Sequence, residues 1–202
     1  MSEKAKQLII FILLLGGITS ALLVGVDLIT RERILANQQA FLQSAVLEAY
    51  SIPFASAEVN DVFKVSVEMI ELTADDGSIL TFYRDPNTGN VSFQFEGGGV
   101  WGPIIGVITL ESDFKTIIRI TILEQEETPG LGGIIAERRY LDNYVGANLS
   151  ASITVSHDSV PNDPNYVDAI TGGTRTSERF EIILRNTYTL HASVWRAFTE
   201  QE

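Results

Sequence analysis

The chain contains no cysteine among its 202 residues and only two histidines. The lack of cysteine excludes a disulfide framework, a thiolate nucleophile, a cysteine-ligated zinc site and a cysteine-ligated iron–sulfur cluster. His157 and His191 have no partner residues at the spacing of a hydrolytic triad or of a two-histidine metal site. The sequence therefore predicts no metal centre and no catalytic triad.

Basic residues are also scarce, since 14 lysines and arginines stand against 26 aspartates and glutamates, for a net charge of −12. Nucleic-acid binding depends on basic side chains that displace counterions from phosphates. This composition excludes an electrostatically driven nucleic-acid binder. The first 30 residues hold two basic and two acidic side chains, which leaves 12 basic and 24 acidic ones in residues 31–202. The net charge of −12 therefore arises entirely from residues 31–202.

The N-terminal region contains a long apolar run, Leu8 to Val26, with no charged side chain in 19 residues. A bilayer core needs about 20 residues of helix, so this run predicts a transmembrane anchor over residues 1–30. A cleaved signal peptide is the alternative, because Lys4 and Lys6 precede the run. The run is longer than a typical signal-peptide core and lacks an Ala-x-Ala cleavage site, which favours the anchor. Orientation is not decided by charge, since Arg31 and Arg33 follow the run and balance the two lysines.

The remainder of the chain has the pattern of an α+β domain. Residues 31–50 place apolar side chains three and four apart, which predicts a helix that continues from the anchor. Short runs rich in β-branched and aromatic residues, separated by turn sequences, predict an antiparallel sheet; these runs are Val62–Thr73, Ile79–Tyr83, Val91–Phe95, Ile104–Leu110 and Thr116–Leu123. A helix over Ile134–Val145, a further strand over Ala151–Val155 and a long terminal helix with one buried face follow.

Several charged or polar groups have ordinary structural interpretations. Asp85-x-Asn87-x-Gly89 resembles part of a calcium loop but lacks its closing glutamate, so a hairpin turn is favoured. Glu124, Glu126 and Glu127 could supply paired carboxylates, although solvated charge at a strand end is the ordinary explanation. His191 falls on the apolar face of the terminal helix, which predicts a packed, hydrogen-bonded side chain.

Two glycine-rich segments point to ligand binding. Residues 127–133 (ETPGLGG) follow a predicted strand, and residues 168–177 (DAITGGTRTS) directly precede the terminal helix. Glycines let backbone amides approach a ligand closely, and a helix N-terminus favours anions. The hydroxyls of the second segment could instead serve as helix caps.

Together the two segments resemble one family. Asp168 to Thr174, Asp-x-x-Thr-Gly-x-Thr, is similar to the flavinylation motif of the FMN-binding domain shared by the C subunit of the sodium-translocating NADH:quinone oxidoreductase (Nqr) and the G subunit of the Rnf complex. Glu-Thr-Pro-Gly-Leu-Gly, residues 127–132, resembles that domain's other signature. The likeness covers nearly the whole chain. One departure is Gly173, where the family usually has alanine.

The resemblance implies that the Thr174 hydroxyl carries FMN as a phosphoester. It also implies that Asp168, Thr171 and Gly172 are recognised by a separate flavin transferase that uses FAD as the donor. Further candidates for the cofactor site combine the resemblance with residue chemistry. Arg175 could add a cation, and Thr128 and the backbone from Gly130 to Gly132 could donate hydrogen bonds. Leu131 could offer an apolar surface, and the charge of Glu127 could shift the electronics of the flavin ring. Trp101 could stack near the ring, or it could belong to a core or to a membrane interface.

The expected function is that of a membrane-anchored electron carrier, with residues 31–202 as an extracytoplasmic FMN-binding domain. The resemblance implies other membrane subunits of an ion-translocating complex as partners, so the chain is not expected to be catalytic alone. The sequence leaves the Nqr and Rnf branches open, because Val100-Trp101-Gly102-Pro103 favours Nqr and the compact length favours Rnf. Two alternatives are a standalone membrane-tethered flavoprotein and a binding module without flavin.

Overall fold

The computed structural model describes residues 2–157 and 163–200. The chain divides into two compact units, Met1–Ala40 and Phe41–Glu202. The boundary falls within helix α1, Glu3–Ala49.

The first unit is helical and strongly apolar. Its side chains from Leu8 to Ile29 are exposed, and the helix is long and apolar enough to cross a membrane. Thr19, the first polar side chain of the apolar run, donates its hydroxyl proton to the Leu15 carbonyl at an O···O distance of 2.8 Å. That bond satisfies the hydroxyl within the helix, so it needs no water. The predicted N-terminal apolar helix is confirmed.

The second unit is built on an antiparallel five-stranded sheet in the order β1-β2-β3-β4-β5. Its strands are β1 Glu68–Thr73, β2 Ile79–Arg84, β3 Val91–Gly98, β4 Pro103–Leu110 and β5 Ile117–Gln125. The segment between β2 and β3 is a hairpin turn in which the buried Asp85 carboxylate accepts hydrogen bonds from the Asn87 amide and the Thr88 hydroxyl. The predicted antiparallel sheet and this turn are confirmed.

Short elements complete the unit. Helix α2 covers Val59–Ser66, and after β5 come a 3-10 turn at Gly132–Ala136, helix α3 at Arg138–Leu141 and a second 3-10 turn at Asp142–Tyr144. Strands β6, Thr154–Ser156, and β7, Tyr166–Asp168, form a parallel pair. Helix α4, Thr174–Thr199, is the predicted terminal helix.

Three details differ from the sequence-based expectation. The predicted strand Val62–Thr73 is helix α2 followed by β1, because Val59 and Phe63 lie four residues apart on one buried helix face. The predicted helix over residues 134–145 is broken into short helical pieces. The predicted strand over residues 151–155 begins at Thr154, and its partner β7 was missed because each strand has only three residues.

The sheet is covered on both faces. Alternate residues of β4 belong to two cores, with Ile108 packed in the cluster that contains α4 residues and Val107 packed in the cluster that contains α2 and the end of α1. His191 of α4 stacks on Phe93 at a ring-centroid distance of 4.3 Å, and its Nδ1 lies 2.8 Å from the Thr187 carbonyl oxygen. The prediction that His191 is a packed, hydrogen-bonded residue is confirmed.

Burial lowers the pKa of His191, so the folded protein binds this proton less readily than the unfolded chain. The unfolded histidine takes up its proton below about pH 6.5, and the unfolded state then holds more protons. We expect the free energy of unfolding to fall between pH 7 and pH 5.5, with a slope of at most about 1.4 kcal/mol per pH unit from this one group. Urea unfolding of wild type and His191→Phe across that range should show a flatter profile for the variant. Equal slopes would contradict the assignment.

Candidate functional site

The two glycine-rich segments lie against each other at the start of α4. A Cβ atom added to Gly172 would lie 2.8 Å from Leu131 Cδ2, and one added to Gly173 would lie 3.2 Å from the Gly132 nitrogen. Gly172 also has a φ of +76°, which favours glycine. The close packing of the two segments thus depends on these glycines, with Gly172 against the Leu131 side chain and Gly173 against the Gly132 backbone. It brings segments about 40 residues apart into one wall.

This wall borders an open cleft of about 370 Å³. Most of the sequence-predicted site residues line it, together with Val100 and Thr176; the lining residues are Val100, Trp101, Glu127, Thr128, Leu131, Gly132, Gly172, Gly173, Thr174, Arg175 and Thr176. Gly130 follows Thr128 in the same loop with a φ of +73° and open space around it. A cleft of this size is within the range of small-molecule and cofactor sites.

Glu127 is the buried centre of the cleft, with 3% of its surface exposed. Its Oε1 accepts hydrogen bonds from the backbone amides of Val100 and Trp101, at 2.7 and 3.1 Å, and its Oε2 accepts the Thr176 hydroxyl at 2.6 Å. The carboxylate therefore ties the β3–β4 turn and the first turn of α4 to the loop after β5. The structure shows that the hydrogen bonds of this carboxylate hold the cleft together. Its effect on the electronics of a flavin ring stays a prediction. The neighbouring Glu124 and Glu126 are exposed, as solvated charges are.

Apolar side chains stand at the edge of the cleft. Trp101 is 71% exposed, which excludes the alternative that it belongs to the core. Leu131 and Val100 are exposed by 44% and 42%. A planar apolar ligand could contact these side chains while its polar end reached the backbone below them.

Thr174 is the first residue of α4 and is half-buried. Since Gly173 occupies the position that precedes the helix, no side chain at that position accepts hydrogen bonds from the first-turn amides. Those amides and the helix dipole favour an anion. The Thr174 hydroxyl oxygen also lies 2.9 Å from His157 Nε2.

The remaining predicted site residues lie outside the cleft lining. Asp168 ends β7 and is exposed, and Thr171 is exposed in the loop that follows. The loop between them is anchored at its buried residues, because the Ala169 amide donates to the Ser156 carbonyl at 2.8 Å and the Ile170 amide donates to Ser177 Oγ at 3.1 Å. Asp168 and Thr171 are therefore displayed on a firmly held loop, where another protein could reach them.

Gly173 is the position at which this chain departs from the family pattern. An added Cβ there would lie 2.8 Å from Ile170 Cγ2, so the local packing suits glycine and would have to shift for alanine. Sequence reasoning missed His157, Val100 and Thr176 as site residues. Val100 and Thr176 adjoin residues that it did select, whereas no local pattern connects His157 with Thr174.

Comparison with known proteins agrees with this geometry. Residues 99–189 match the family described as "FMN-binding domain". The match covers 91 of the 202 residues. The match includes the ETPGLG loop, the segment from Asp168 to Thr174 and the first part of α4.

The curated relatives are C subunits of Na⁺-translocating NADH-quinone reductase. The chain is 32% identical to the Haemophilus ducreyi protein over 96 residues, which cover 45% of this chain and 37% of that protein. It is 27% identical to the Yersinia pestis protein over 161 residues, which cover 75% of this chain and 58% of that protein. The matched part thus spans less than two thirds of either relative.

Solved structures show that the fold is shared. The crystal structure of Shewanella oneidensis NqrC superposes with a TM-score of 0.66 at 20% identity, and the alignment covers 76% of this chain and 93% of that one. The crystal structure of the corresponding Na⁺-translocating NADH-quinone reductase C subunit from Parabacteroides distasonis gives a TM-score of 0.62 at 23% identity, with 76% and 92% covered.

The residues of the cleft suit the cofactor named in that family's description. FMN combines a phosphate with an apolar ring system, and the cleft combines open helix amides at Thr174 with exposed apolar side chains at Trp101 and Leu131. Gly130 has a positive φ and no atom within 4 Å of an added Cβ, so it leaves the backbone of its loop uncovered. The same cleft thus offers an anion site and an apolar surface.

We expect Gly132→Ala to lower the free energy of unfolding of the second unit by about 1–3 kcal/mol, the usual cost of overpacking. An added Cβ would lie 2.5 Å from Thr176 Oγ1 and 2.7 Å from Glu127 Oε2, so it would disturb the hydrogen bond between them. Gly98→Ala is the matched control, because no atom lies within 4 Å of its added Cβ. Urea unfolding of the two variants should separate them, and equal stabilities would mean that Gly132 serves only chain flexibility.

Proposed function

We propose that this chain is an electron-carrying subunit with FMN bound covalently, as a phosphoester, to Thr174. The observation that carries the proposal is the convergence of Thr174, the open N-terminus of α4 and the loop after β5 on one cleft, within the region that matches the family described as "FMN-binding domain". A ligand joined to the Thr174 oxygen would start at the helix amides and extend toward the exposed apolar side chains.

The negative charge of a phosphodiester at Thr174 is stabilised by the first-turn amides of α4 and by the helix dipole. Arg175 lines the same cleft and adds a cation near that position. Bound FMN supplies the redox chemistry, while the protein supplies attachment, orientation and electrostatics. Thr128 and the backbone of the Gly130–Gly132 loop offer hydrogen-bonding groups, and Trp101 and Leu131 offer contact area for the ring.

Attachment requires a flavin transferase that recognises the motif and takes FMN from FAD. Exposed Asp168 and Thr171 and the positive-φ turn at Gly172 support this role, since all three are displayed on a loop held from below by Ala169 and Ile170. The two exposed residues make no part of the cleft lining, so their role is recognition and not cofactor binding.

The chain works as one subunit of an ion-translocating electron transport complex of the Nqr type, with other membrane subunits as partners. The names of the curated relatives support the Nqr branch over the Rnf branch. The apolar part of α1 anchors the chain in the membrane, and the FMN-binding domain lies outside the cytoplasm. A covalent bond retains the flavin where a dissociated FMN would be lost.

A visible absorbance spectrum tests the proposal. The full chain would be purified from membranes of two otherwise identical hosts, one with and one without a flavin transferase. Only the first preparation should show flavin absorbance, and its denatured band should fluoresce in a gel. A colourless chain from both hosts would refute covalent flavinylation and favour a binding module. A coloured chain that never copurifies with membrane subunits in its native host would favour the standalone flavoprotein.

The side of the membrane on which the domain lies has its own test. Protease added to native cells with a permeabilised outer envelope is expected to digest the FMN-binding domain, because that domain lies on the outer side of the anchor. An immunoblot of the domain measures its loss, and a cytoplasmic protein serves as the control for an intact inner membrane. Protection of the domain until the inner membrane is broken would reverse the proposed topology.

A further inference from the structure

His157 has no part in the site as the sequence motifs define it, yet its ring reaches the motif's closing hydroxyl. The Nε2 atom lies 2.9 Å from Thr174 Oγ1, which is hydrogen-bond distance. His157 follows β6 directly, and β6 pairs with β7 so that Ser156 lies opposite Asp168. The parallel pairing of β6 and β7 therefore places His157 beside the loop that carries the motif.

A threonine hydroxyl is a weak nucleophile until a neighbouring base takes its proton, and histidine is the side chain most often used for this purpose. A nucleophile and a base within hydrogen-bond reach of each other form the usual arrangement of an activated hydroxyl. Thr174 and His157 have this arrangement before any cofactor is attached. Nε2 acts as the acceptor in the tautomer that carries its proton on Nδ1.

Attachment requires a hydroxyl that the donor molecule can reach and a base beside that hydroxyl. Thr171 and Thr176, the other two threonines of the segment 168–177, each lack one of these. Thr176 is 4% exposed, and it donates its hydroxyl proton to Glu127, so a donor molecule cannot reach it. Thr171 is exposed, but within residues 2–157 and 163–200 no base stands at hydrogen-bond distance from its hydroxyl. Among these three threonines, and counting only bases in the part of the chain that the structure describes, Thr174 alone combines partial exposure with a base, which gives a chemical reason for modification at this position.

We propose that His157 is the base that accepts the Thr174 hydroxyl proton when FMN is attached, an inference that rests on the proposed function. In this step the Thr174 oxygen forms a bond to the phosphorus on the flavin side of FAD. The bond from that phosphorus to the bridging oxygen breaks, and AMP leaves with the bridging oxygen. The hydroxyl proton passes to His157 Nε2, and no oxidation or reduction occurs.

The test is the rate of attachment in the full chain, purified in detergent from a host without flavin transferase. The chain would be mixed with FAD and a purified flavin transferase, and the adduct would be followed by intact mass. His157→Ala and His157→Gln are the test variants, since glutamine retains a hydrogen-bonding group but cannot take up the proton. Thr154→Val, an exposed change in β6, is the control for disturbance of the strand.

Both His157 variants are expected to lower the maximal attachment rate at least about 100-fold, the lower range for general base catalysis. The chain concentration that half-saturates the transferase should stay unchanged, and added imidazole should raise the rate of His157→Ala. Thr154→Val should react at the wild-type rate. A His157→Ala rate within twofold of wild type, a wild-type rate in His157→Gln, or no response to imidazole would overturn the proton-accepting role. Absence of any adduct on the wild-type chain would instead refute the proposed function.

Discussion

The chain with Thr174→Ala is expected to contain no covalent FMN when it is produced beside a flavin transferase. The change removes the hydroxyl that closes the motif, lies in the first turn of α4 and contacts the His157 ring. The wild-type chain should gain the mass of one FMN less one water, whereas the variant should keep its unmodified mass. Intact mass spectrometry and in-gel flavin fluorescence measure this effect.

Two further substitutions test the assignment to Thr174. Thr174→Ser restores a hydroxyl at the same place and should recover at least part of the adduct. Thr176→Val should still gain the adduct, because the Thr176 hydroxyl is buried in a hydrogen bond to Glu127 and is not the group that receives FMN. A full adduct on Thr174→Ala, or an adduct mapped to Thr171 or Thr176 in the wild-type chain, would show that the attachment site is elsewhere.

Glu127→Ala is expected to cause the largest loss of stability at the site. The change leaves the amides of Val100 and Trp101 and the buried Thr176 hydroxyl without their common acceptor. A hydrogen bond to a charged group contributes about 1.5–3 kcal/mol, so the loss of three of them should lower the free energy of unfolding by about 3 kcal/mol or more. Urea unfolding of the full chain in detergent measures the change.

The controls for this prediction separate burial from charge. Glu124→Ala removes an exposed carboxylate near the same strand end and should change stability by less than about 0.5 kcal/mol. Glu127→Gln keeps the size and one acceptor oxygen, so it should be milder than alanine. Equal effects of Glu124→Ala and Glu127→Ala would mean that the three hydrogen bonds do not hold the cleft together.

Local patterns predicted most of the fold. The β2–β3 turn follows from Asp85, whose carboxylate caps its own turn through Asn87 and Thr88, all within four residues. Helix α4 follows from apolar side chains at helical spacing, and its packed His191 was predicted for the same reason. The prediction of one strand from Val62 to Thr73 was wrong for its first part, which belongs to helix α2. The β-branched residues there suit a strand, but tertiary contacts bury Val59 and Phe63 on one face of the helix.

The sequence by itself determined the apolar N-terminal helix, the antiparallel sheet, the two glycine-rich loops and the position of Thr174 at a helix start. Each of these depends on residues close together in the chain, through spacing, turn chemistry or the helix N-terminus. Tertiary structure alone decided that Glu127 is buried and that His157 reaches Thr174. Those contacts join residues 49 and 17 positions apart, and they exist only because strand pairing and glycine packing bring separate segments together.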